Sequence, residues 1–203
     1  MAGWSAANPR TLLFSEPNQP HAWPAKYALS MDHDIVGLGL SGNTVVVCTK
    51  GFPYIVTGDD PASMTKSIVP IPQACTSRQG IAEHENAVIY PSPDGLVLID
   101  GANGRLLTTE YYSRTEWQEL QPATMLGGIY DNRYHGFSDG GNIIFGLTEG
   151  TAALTMTDQK ATAIYNDYER DLLVIAFGTS IMTWRTSPTR LTAIWKSRVI
   201  DLQ

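Results

Sequence analysis

The chain has 203 residues, of which 14 are Lys or Arg and 20 are Asp or Glu, giving a formal net charge of -6. The basic residues are scattered, whereas a nucleic-acid-binding surface needs them clustered to neutralise phosphates. No stretch approaches the roughly 18 apolar residues of a membrane-spanning helix, and the first residues lack the basic start and apolar block of a signal peptide. These totals exclude specific nucleic-acid binding and a helical membrane span, and they favour a single domain over residues 1–203.

In chain order, two short apolar segments come first. Residues 11–15 and 26–30 have the pattern of the third and fourth strands of a β-propeller blade whose first two strands are missing. The sequence therefore predicts an N-terminal half-blade. Because an open sheet edge is costly, we expect residues 11–15 either to pair with the last strand near Ile194 or to remain at an exposed edge.

Four longer units follow, each with an apolar run, a tight turn bearing glycine and a second apolar run. The turn glycines are Gly51, Gly95, Gly140 and Gly178. They lie roughly 40 residues apart, which is the length of a four-stranded propeller blade. The predicted strands are residues 35–40, 44–49, 52–57 and 66–69 in the first unit, 80–84, 87–90, 96–99 and 105–109 in the second, 126–130, 134–137, 142–145 and 153–156 in the third, and 161–165, 172–177, 181–185 and 191–195 in the fourth.

One segment between the second and third units has a helical pattern. Residues 115–120 predict a short helix, capped by Ser113 or Thr115 and ended before Pro122. The predicted fold class is therefore all-β: a β-propeller-like array of about four four-stranded antiparallel blades, an N-terminal half-blade and one short helix near residues 114–120.

Candidate catalytic or metal-binding residues are few. The histidines His21, His33, His84 and His135 have no second ligand at metal-binding spacing, so each is expected at the surface or in a turn. The densest polar group is residues 32–34, Asp-His-Asp. A shared metal or an acid–base pair there is the alternative to an ordinary loop that leads into a strand.

The remaining polar and sulfur-bearing groups have structural interpretations. The Asp-Gly segments 94–95, 100–104 and 139–142 resemble calcium loops, but they lack the alternating oxygen ligands and final Glu, so hairpin turns explain them better. Cys48 and Cys75 have no metal or redox spacing and are interpreted as small buried apolar residues. The sequence thus assigns no catalytic, cofactor-binding or metal-binding residue, and the protein is expected not to be an enzyme.

Three tryptophans, Trp117, Trp184 and Trp195, lie in apolar periodic segments, where packing is the usual role. Aromatic ledges that bind sugars are the alternative. Such ledges would make the protein a carbohydrate-binding β-propeller that recognises a host glycan.

Several separated motifs, in one order, resemble a known class of proteins. They are Leu-Phe-Ser-Glu-Pro at 13–17, His-Ala-Trp-Pro at 21–24, Asp-Ile-Val-Gly-Leu at 34–38, Thr-Lys-Gly-Phe-Pro-Tyr at 49–54, Tyr-Pro-Ser-Pro-Asp-Gly-Leu at 90–96 and Trp-Gln at 117–118 before Pro122. Together they resemble virion structural proteins of tailed bacteriophages and prophages, of the kind that form the tail tube tip or nozzle in short-tailed phages. The resemblance covers about the N-terminal two-thirds, and residues 195–198 are also similar.

The resemblance implies a non-enzymatic structural role in a ring of subunits around the DNA exit channel. The implied partners are other phage tail proteins and further copies of the chain, with DNA passing nearby but not specifically bound. The implied location is the virion tail, assembled in the cytoplasm of the bacterial host. Larger members of the class carry domains before this region, so a fragment of a larger protein is the alternative to a single complete domain.

Overall fold

The computed structural model describes residues 1–148, 154–156, 160–167 and 169–184. These residues form five antiparallel sheets, each built from consecutive strands. Sheet 1 contains β1 (Ala2–Ser5), β2 (Asn8–Phe14) and β3 (Ala28–Ser30), and sheet 2 contains β4 (Ile35–Ser41), β5 (Thr44–Thr49), β6 (Tyr54–Thr57) and β7 (Thr65–Ile68). Sheet 3 contains β8 (Ala82–His84), β9 (Ala87–Ser92), β10 (Gly95–Asp100) and β11 (Asn103–Leu106), and sheet 4 contains β12 (Leu126–Tyr130), β13 (Arg133–Ser138), β14 (Gly141–Gly146) and β15 (Leu154–Met156). Sheet 5 contains β16 (Ala163–Asp167), β17 (Leu172–Phe177) and β18 (Ser180–Thr183).

Successive sheets meet along their first strands. Strand β4 contacts β8, β8 contacts β12, and β12 contacts β16. A β-propeller has this arrangement: small sheets repeat radially, and the first strand of each sheet contacts the first strand of the next. The all-β, propeller-like fold that the sequence predicts is therefore confirmed.

Tight turns join neighbouring strands as the sequence predicts. Asp131 and Asn132 both have positive φ, 51° and 52°, and they connect Tyr130 to its cross-strand partner Arg133. Two left-handed residues in a row make a type I′ turn, whose twist matches that of the flanking strands. Gly51, Gly140 and Gly178 lie between the second and third strands of sheets 2, 4 and 5, and Gly95 begins the third strand of sheet 3, which confirms the repeat.

The core lies between the sheets, and the alternation of side chains along each strand places it there. In β5, Val46 and Cys48 pack toward sheet 3, whereas Val47, between them in sequence, packs toward sheet 1. Side chains alternate across a strand, so a sheet with neighbours on both sides buries consecutive apolar residues. Similar apolar clusters join sheet 3 to sheet 4 and sheet 4 to sheet 5.

The N-terminal unit has one strand more than predicted. Strand β1 pairs with β2, with Ala2 opposite Phe14, and β2 pairs on its other side with β3. Residues 11–15 were expected at an edge or beside Ile194, and this is wrong, because all but Ser15 belong to the middle strand of sheet 1. The sequence of β1, Ala-Gly-Trp-Ser, has no β-branched residue and one glycine, so its strand signal is weak. Ile194 lies outside the described residues, as do residues 191–195.

The predicted helix is present as α1 (Arg114–Glu119). Ser113 is its N-cap: the Ser113 hydroxyl accepts a hydrogen bond from the Glu116 backbone N–H, and the Glu116 carboxylate accepts one from the Ser113 N–H. This capping box satisfies two of the backbone donors that begin a helix. Trp117 is fully buried, and its indole N–H donates to the carbonyl of Ser92 at 2.7 Å. The helix thereby fastens the connection between sheets 3 and 4.

Candidate functional site

The first strands of sheets 1 to 5 surround a cavity of about 550 Å³ at the centre of the array. Its lining comprises Ala2 and Trp4 of β1, Gly37 and Leu38 of β4, Arg78 and Ile81 before β8, Ala82 and Glu83 of β8, Gly127, Gly128 and Ile129 of β12, and Ile164 and Asn166 of β16. We call this space the axial cavity. Its volume lies within the range of small-molecule binding sites.

The polar groups of the axial cavity are held by neighbouring groups. The Arg78 guanidinium lies 5.0 Å from the centre of the Trp4 ring, which is a cation–π contact. The Glu83 carboxylate accepts a hydrogen bond from the Leu40 backbone N–H at 2.7 Å, and the Asn166 amide donates to the carbonyl of Ile129. These contacts fix the side chains but form no nucleophile with an adjacent base.

Close approach of the sheets around the axis depends on glycine. A Cβ on Gly128 of β12 would lie 2.7 Å from Cδ1 of Ile164 in β16, and a Cβ on Gly37 of β4 would overlap Ile81. Real Cβ atoms do not tolerate such contacts, so the neighbouring aliphatic side chain occupies the space that a side chain would need. These strand glycines serve the packing between sheets.

The Asp-His-Asp segment at 32–34 is a structural loop. The Asp34 carboxylate pairs with Arg10 at 3.0 Å and with Lys50 at 3.2 Å, and these hydrogen bonds, from Arg10 first, lower the pKa of Asp34. The Tyr54 hydroxyl donates to Asp32 at 2.8 Å. The segment therefore ties sheet 1 to sheet 2, as an ordinary loop entering β4 would. Within the described residues, no three His, Cys, Asp or Glu side chains come together as a metal site.

The histidines do not all follow the prediction. His21 and His33 are exposed and His84 is half-buried, but His135 of β13 is only 1% exposed. Its ring packs edge-on against Trp184, with the ring centres 5.3 Å apart. The expected surface or turn position is thus wrong for His135, because sheet 4 lies between sheets 3 and 5 and both faces of β13 are covered. No local pattern around a polar ring reveals such burial.

The Asp-Gly segments form turns, as predicted. Asp94 pairs with Arg114 at 2.9 Å and accepts a hydrogen bond from the Gln73 amide at 3.0 Å, while Asp139 pairs with Lys160. Each carboxylate therefore already faces a donor or a cation. Cross-strand pairs place the first two segments at hairpin ends, with Ser92 opposite Gly95 and Asp100 opposite Asn103.

Two buried tyrosines hold the connection between sheets 2 and 3. The Tyr90 hydroxyl donates to the carbonyl of Gln73 at 2.9 Å, and the Tyr134 hydroxyl donates to that of Gly80 at 2.7 Å. Burial is the main cause that raises the pKa of both phenols, so both remain neutral donors. Their geometry is that of structural tethers.

Trp117 and Trp184 pack in the interior as predicted, in the clusters that join sheets 3 and 4 and sheets 4 and 5. Cys48 and Cys75 are buried free thiols, which confirms their interpretation as small apolar residues. Trp195 lies outside the described residues.

The two surfaces of sheet 5 differ strongly. One surface packs on sheet 4 through the buried Leu173 and Ile175. The other, which we call the outer face of sheet 5, carries the side chains that alternate with these and lie side by side in the strand register: Ala163, Tyr165, Asp167, Leu172, Val174, Ala176, Ile181 and Thr183. Tyr165 is 66% exposed and Ile181 is 76% exposed. Sequence reasoning missed this surface, because the run Leu-Leu-Val-Ile-Ala-Phe of β17 is typical of a strand buried on both faces.

Sheet 1, at the other end of the series, also has a surface that faces away from its neighbour. Leu12 and Phe14 pack toward sheet 2, so the alternating residues form the outer face of sheet 1: Gly3, Thr11, Leu13 and Ala28. The Trp23 ring lies beside Gly3: a Cβ on Gly3 would be 3.5 Å from Cη2 of Trp23. Trp23 is 38% exposed. This face has smaller side chains than the outer face of sheet 5.

No protein-family model matches the sequence, and no curated protein matches it. In fold, the chain is similar to BBS1N as seen in the crystal structure of BBS1N in complex with ARL6DN, soaked with mercury, with a TM-score of 0.55. The sequence identity is 8%, and the match covers 87% of this chain and 58% of the BBS1N chain. The chain thus spans less than two-thirds of that neighbour's length. At this identity the likeness concerns the fold alone, and BBS1N has a β-propeller.

Within the described residues, the helices are too short and too polar for any of them to reach across a lipid bilayer.

Proposed function

We propose that the protein is a non-enzymatic structural component of a phage or prophage tail, in the nozzle or tail tube. It acts through packing between subunits around a DNA channel. The assignment to a tail is supported by the sequence motifs of the N-terminal two-thirds. The mode of action is supported by one structural observation, the exposed apolar outer face of sheet 5.

The outer face of sheet 5 has the composition of a surface that packs on another sheet. Sheets 2, 3 and 4 bury apolar side chains on both faces, whereas Tyr165 and Ile181 of sheet 5 are 66% and 76% exposed. Each buried Å² of apolar surface contributes about 25 cal/mol, so covering this face would be favourable. Exposed large apolar side chains grouped on one sheet face are one mark of an interaction site.

The occupant that we propose is the outer face of sheet 1 in a second copy of the chain. The two end sheets are the members of the series that have one face turned away from every other described sheet, and in sheet 1 the Trp23 ring lies against part of that face. Contact between two different surfaces of identical subunits is head-to-tail, and such contacts close into rings when the rotation allows. A ring is the arrangement that a tail channel requires.

The overall charge is compatible with this role. The chain carries a formal net charge of -6. Acidic subunits around a channel repel the phosphates of DNA and keep it from adhering during passage. DNA therefore passes near the protein without specific binding, and the other partners are neighbouring tail proteins in the virion, which is assembled in the host cytoplasm.

Substitution within the outer face tests the packing. Ile181→Asp places a charge on the outer face of sheet 5, and Ile68→Asp is a matched control at an isoleucine that is 52% exposed on β7. Light scattering over a concentration series should show oligomers for the unmodified chain and for Ile68→Asp. Ile181→Asp should weaken association by a factor of about 10 or more, which corresponds to about 1.4 kcal/mol. A monomeric unmodified chain, or equal behaviour of the two variants, would refute the proposed contact.

The assignment to a tail needs a separate measurement. Mass spectrometry of purified particles, released from a bacterium that expresses the gene, should find the chain in the tail fraction at a fixed ratio to the other tail proteins. Expression in the cell without incorporation into particles would refute the tail assignment, whatever the oligomeric state.

Binding of a host glycan is the second candidate function, and the axial cavity favours it. Trp4, Glu83 and Asn166 supply an aromatic face and polar groups in a space of about 550 Å³. Sugar sites combine these elements. A glycan array probed with the unmodified chain and with Trp4→Ala decides this candidate: a signal that Trp4→Ala abolishes supports it, and an array without signal removes it.

A further inference from the structure

Cys48 and Cys75 are the two cysteines of the sequence, and the fold brings them together. Cys48 lies in β5, and Cys75 lies in the connection between β7 and β8. The backbone N–H of Cys75 donates to the carbonyl of Thr49, the residue after Cys48, at 2.8 Å. Both side chains lie in the buried cluster that joins sheets 2 and 3, where the Cys75 thiol donates to the carbonyl of Ser77 at 3.4 Å.

The surroundings of this pair leave little alternative chemistry. Cys48 is 0% exposed and Cys75 is 4% exposed, and the neighbours in the cluster are aliphatic and aromatic side chains such as Val46, Val88 and Tyr90. Within the part of the chain that the structure describes, no third His, Cys, Asp or Glu joins them as a metal ligand. Two neighbouring thiols that are buried in one cluster without a metal or a base can form one product with each other, a disulfide.

We propose that Cys48 and Cys75 form a disulfide site that is filled by exchange with a low-molecular-weight disulfide such as oxidised glutathione. One cysteine thiolate attacks a glutathione sulfur, which forms a mixed disulfide and releases one glutathione thiolate. The other cysteine thiolate then attacks the protein sulfur of the mixed disulfide, which forms the Cys48–Cys75 bond and releases the second glutathione. The two cysteine protons end on the released glutathione molecules, so the protein is oxidised by two electrons and glutathione is reduced by two.

Burial determines when this reaction occurs. The contact with Cys75 and burial raise the pKa of the Cys48 thiol well above its ordinary value, so the folded chain holds almost no thiolate. Exchange is therefore slow in the folded protein and fast during folding, when both thiols are in water.

The bond would fasten β5 to the segment that carries the chain from sheet 2 into sheet 3. It closes the loop of residues 48–75, and closing a loop of this size stabilises a protein mainly by restricting its unfolded chain. Disulfides persist outside the reducing cytoplasm, which is where a released virion resides if the proposed function holds. The disulfide site itself does not rest on that function.

The test is to refold the full chain in a glutathione redox buffer and, separately, in dithiothreitol. In the glutathione buffer the intact mass should fall by two hydrogen atoms, and peptide mapping should find Cys48 joined to Cys75. The melting temperature should be higher than in dithiothreitol by roughly 10 °C. Cys75→Ala is the control, and its melting temperature should be the same in both buffers.

Three outcomes would overturn the proposal. They are two free thiols after refolding in the glutathione buffer, stable glutathione adducts on the separate cysteines, and disulfides that join different chains only. The unmodified chain alone decides between these and the expected product, so a failure of Cys75→Ala to fold leaves the test intact. Cys48→Ala then replaces it as the control.

Discussion

Sheet 3 and sheet 5 come from the same repeating unit but differ in burial. All residues of β9 in sheet 3 are buried, whereas three of the four residues of β18 in sheet 5 are exposed. Sheet 3 packs between two neighbours, and sheet 5 packs on sheet 4. The sequence of a blade therefore specifies its strands and turns, while its neighbours decide which faces become core. Stability and association should accordingly depend on different sheets.

The largest effect should come from removing an aromatic side chain beside sheet 3. Trp117→Ala removes a fully buried ring and leaves the Ser92 carbonyl without its indole donor, so we expect a loss of about 3–5 kcal/mol in the free energy of unfolding. Tyr165→Ala removes an aromatic ring from the outer face of sheet 5 and should cost about 0.5 kcal/mol or less in the monomer. Urea titration followed by far-ultraviolet circular dichroism, a backbone signal, measures the free energy of unfolding of both variants. Similar losses would contradict the difference between the two sheets.

The turn glycines sharpen the comparison, because equivalent positions need glycine for different reasons. A Cβ on Gly140, in sheet 4, would overlap the Glu119 carbonyl and lie 2.6 Å from the carbonyl carbon of Leu120. Backbone cannot yield as a side-chain tip can, so Gly140→Ala should cost about 2–3 kcal/mol. Gly178, in sheet 5, has open space around it but a φ of 59°, so Gly178→Ala should cost about 1 kcal/mol.

Thermal unfolding of both glycine variants, at a concentration where the chain is monomeric, checks this order. Gly140 is not among the glycines with positive φ, so a loss no larger than that of Gly178→Ala would mean that the end of α1 can move away from an added Cβ. A larger loss of stability for Gly178→Ala than for Gly140→Ala would contradict the close contact between Gly140 and the end of α1.

Local signals were sufficient to predict much of the fold. The turn at residues 131–132, the cap at Ser113 and the four turn glycines depend on neighbouring residues, and all were found at the expected places. Strand β1 escaped prediction because it is short and Trp4 is its single residue of a type enriched in strands. Its place is set by pairing with β2, between residues as distant as Ala2 and Phe14.

Burial and exposure at the ends of the array could not be predicted in the same way. His135 is buried because sheet 4 has neighbours on both sides, and Tyr165 is exposed because sheet 4 is the one neighbour of sheet 5 within the described part of the chain. Both are consequences of which sheet lies beside which. The sequence contains the alternation of side chains but not the number of neighbours that each face meets.

The capping box of α1 gives a smaller and local effect. Ser113→Ala removes the hydroxyl that accepts from the Glu116 N–H, so it should cost about 1 kcal/mol. Thr115→Ala is the control, since Thr115 is the alternative cap that the sequence suggested and lies inside the helix. Chemical denaturation should show a loss for the first variant and almost none for the second. A loss of stability in Thr115→Ala alone would show that Thr115, and not Ser113, caps the helix.

The smallest effect should come from Asp34, which links sheet 1 to sheet 2 at the exposed rim of the molecule. Hydrogen bonds from Arg10 and then Lys50 lower the pKa of Asp34 in the folded chain. A lowered folded pKa stabilises the fold above the unfolded pKa of about 3.9, and this stabilisation is lost as the pH falls through the lower folded value. Asp34→Asn should therefore reduce the melting temperature slightly near pH 7, and this difference should shrink as the pH falls through the lowered folded pKa. Asp59→Asn, at an exposed aspartate after β6, is the control for removing one negative charge.

High salt distinguishes the contribution of this ion pair to stability from that of the apolar contacts in the middle sheets. Arg10 and Lys50 are exposed, so raising the salt concentration to about 1 M, where the screening length is about 3 Å, should shrink the difference between the unmodified chain and Asp34→Asn. The loss in Trp117→Ala should persist under the same conditions, because it comes from packing and a buried hydrogen bond. If the Asp34 effect also survived salt and acid, its cause would be the shape of the loop and not its charge, and the connection between sheets 1 and 2 would resemble the core more than the rim.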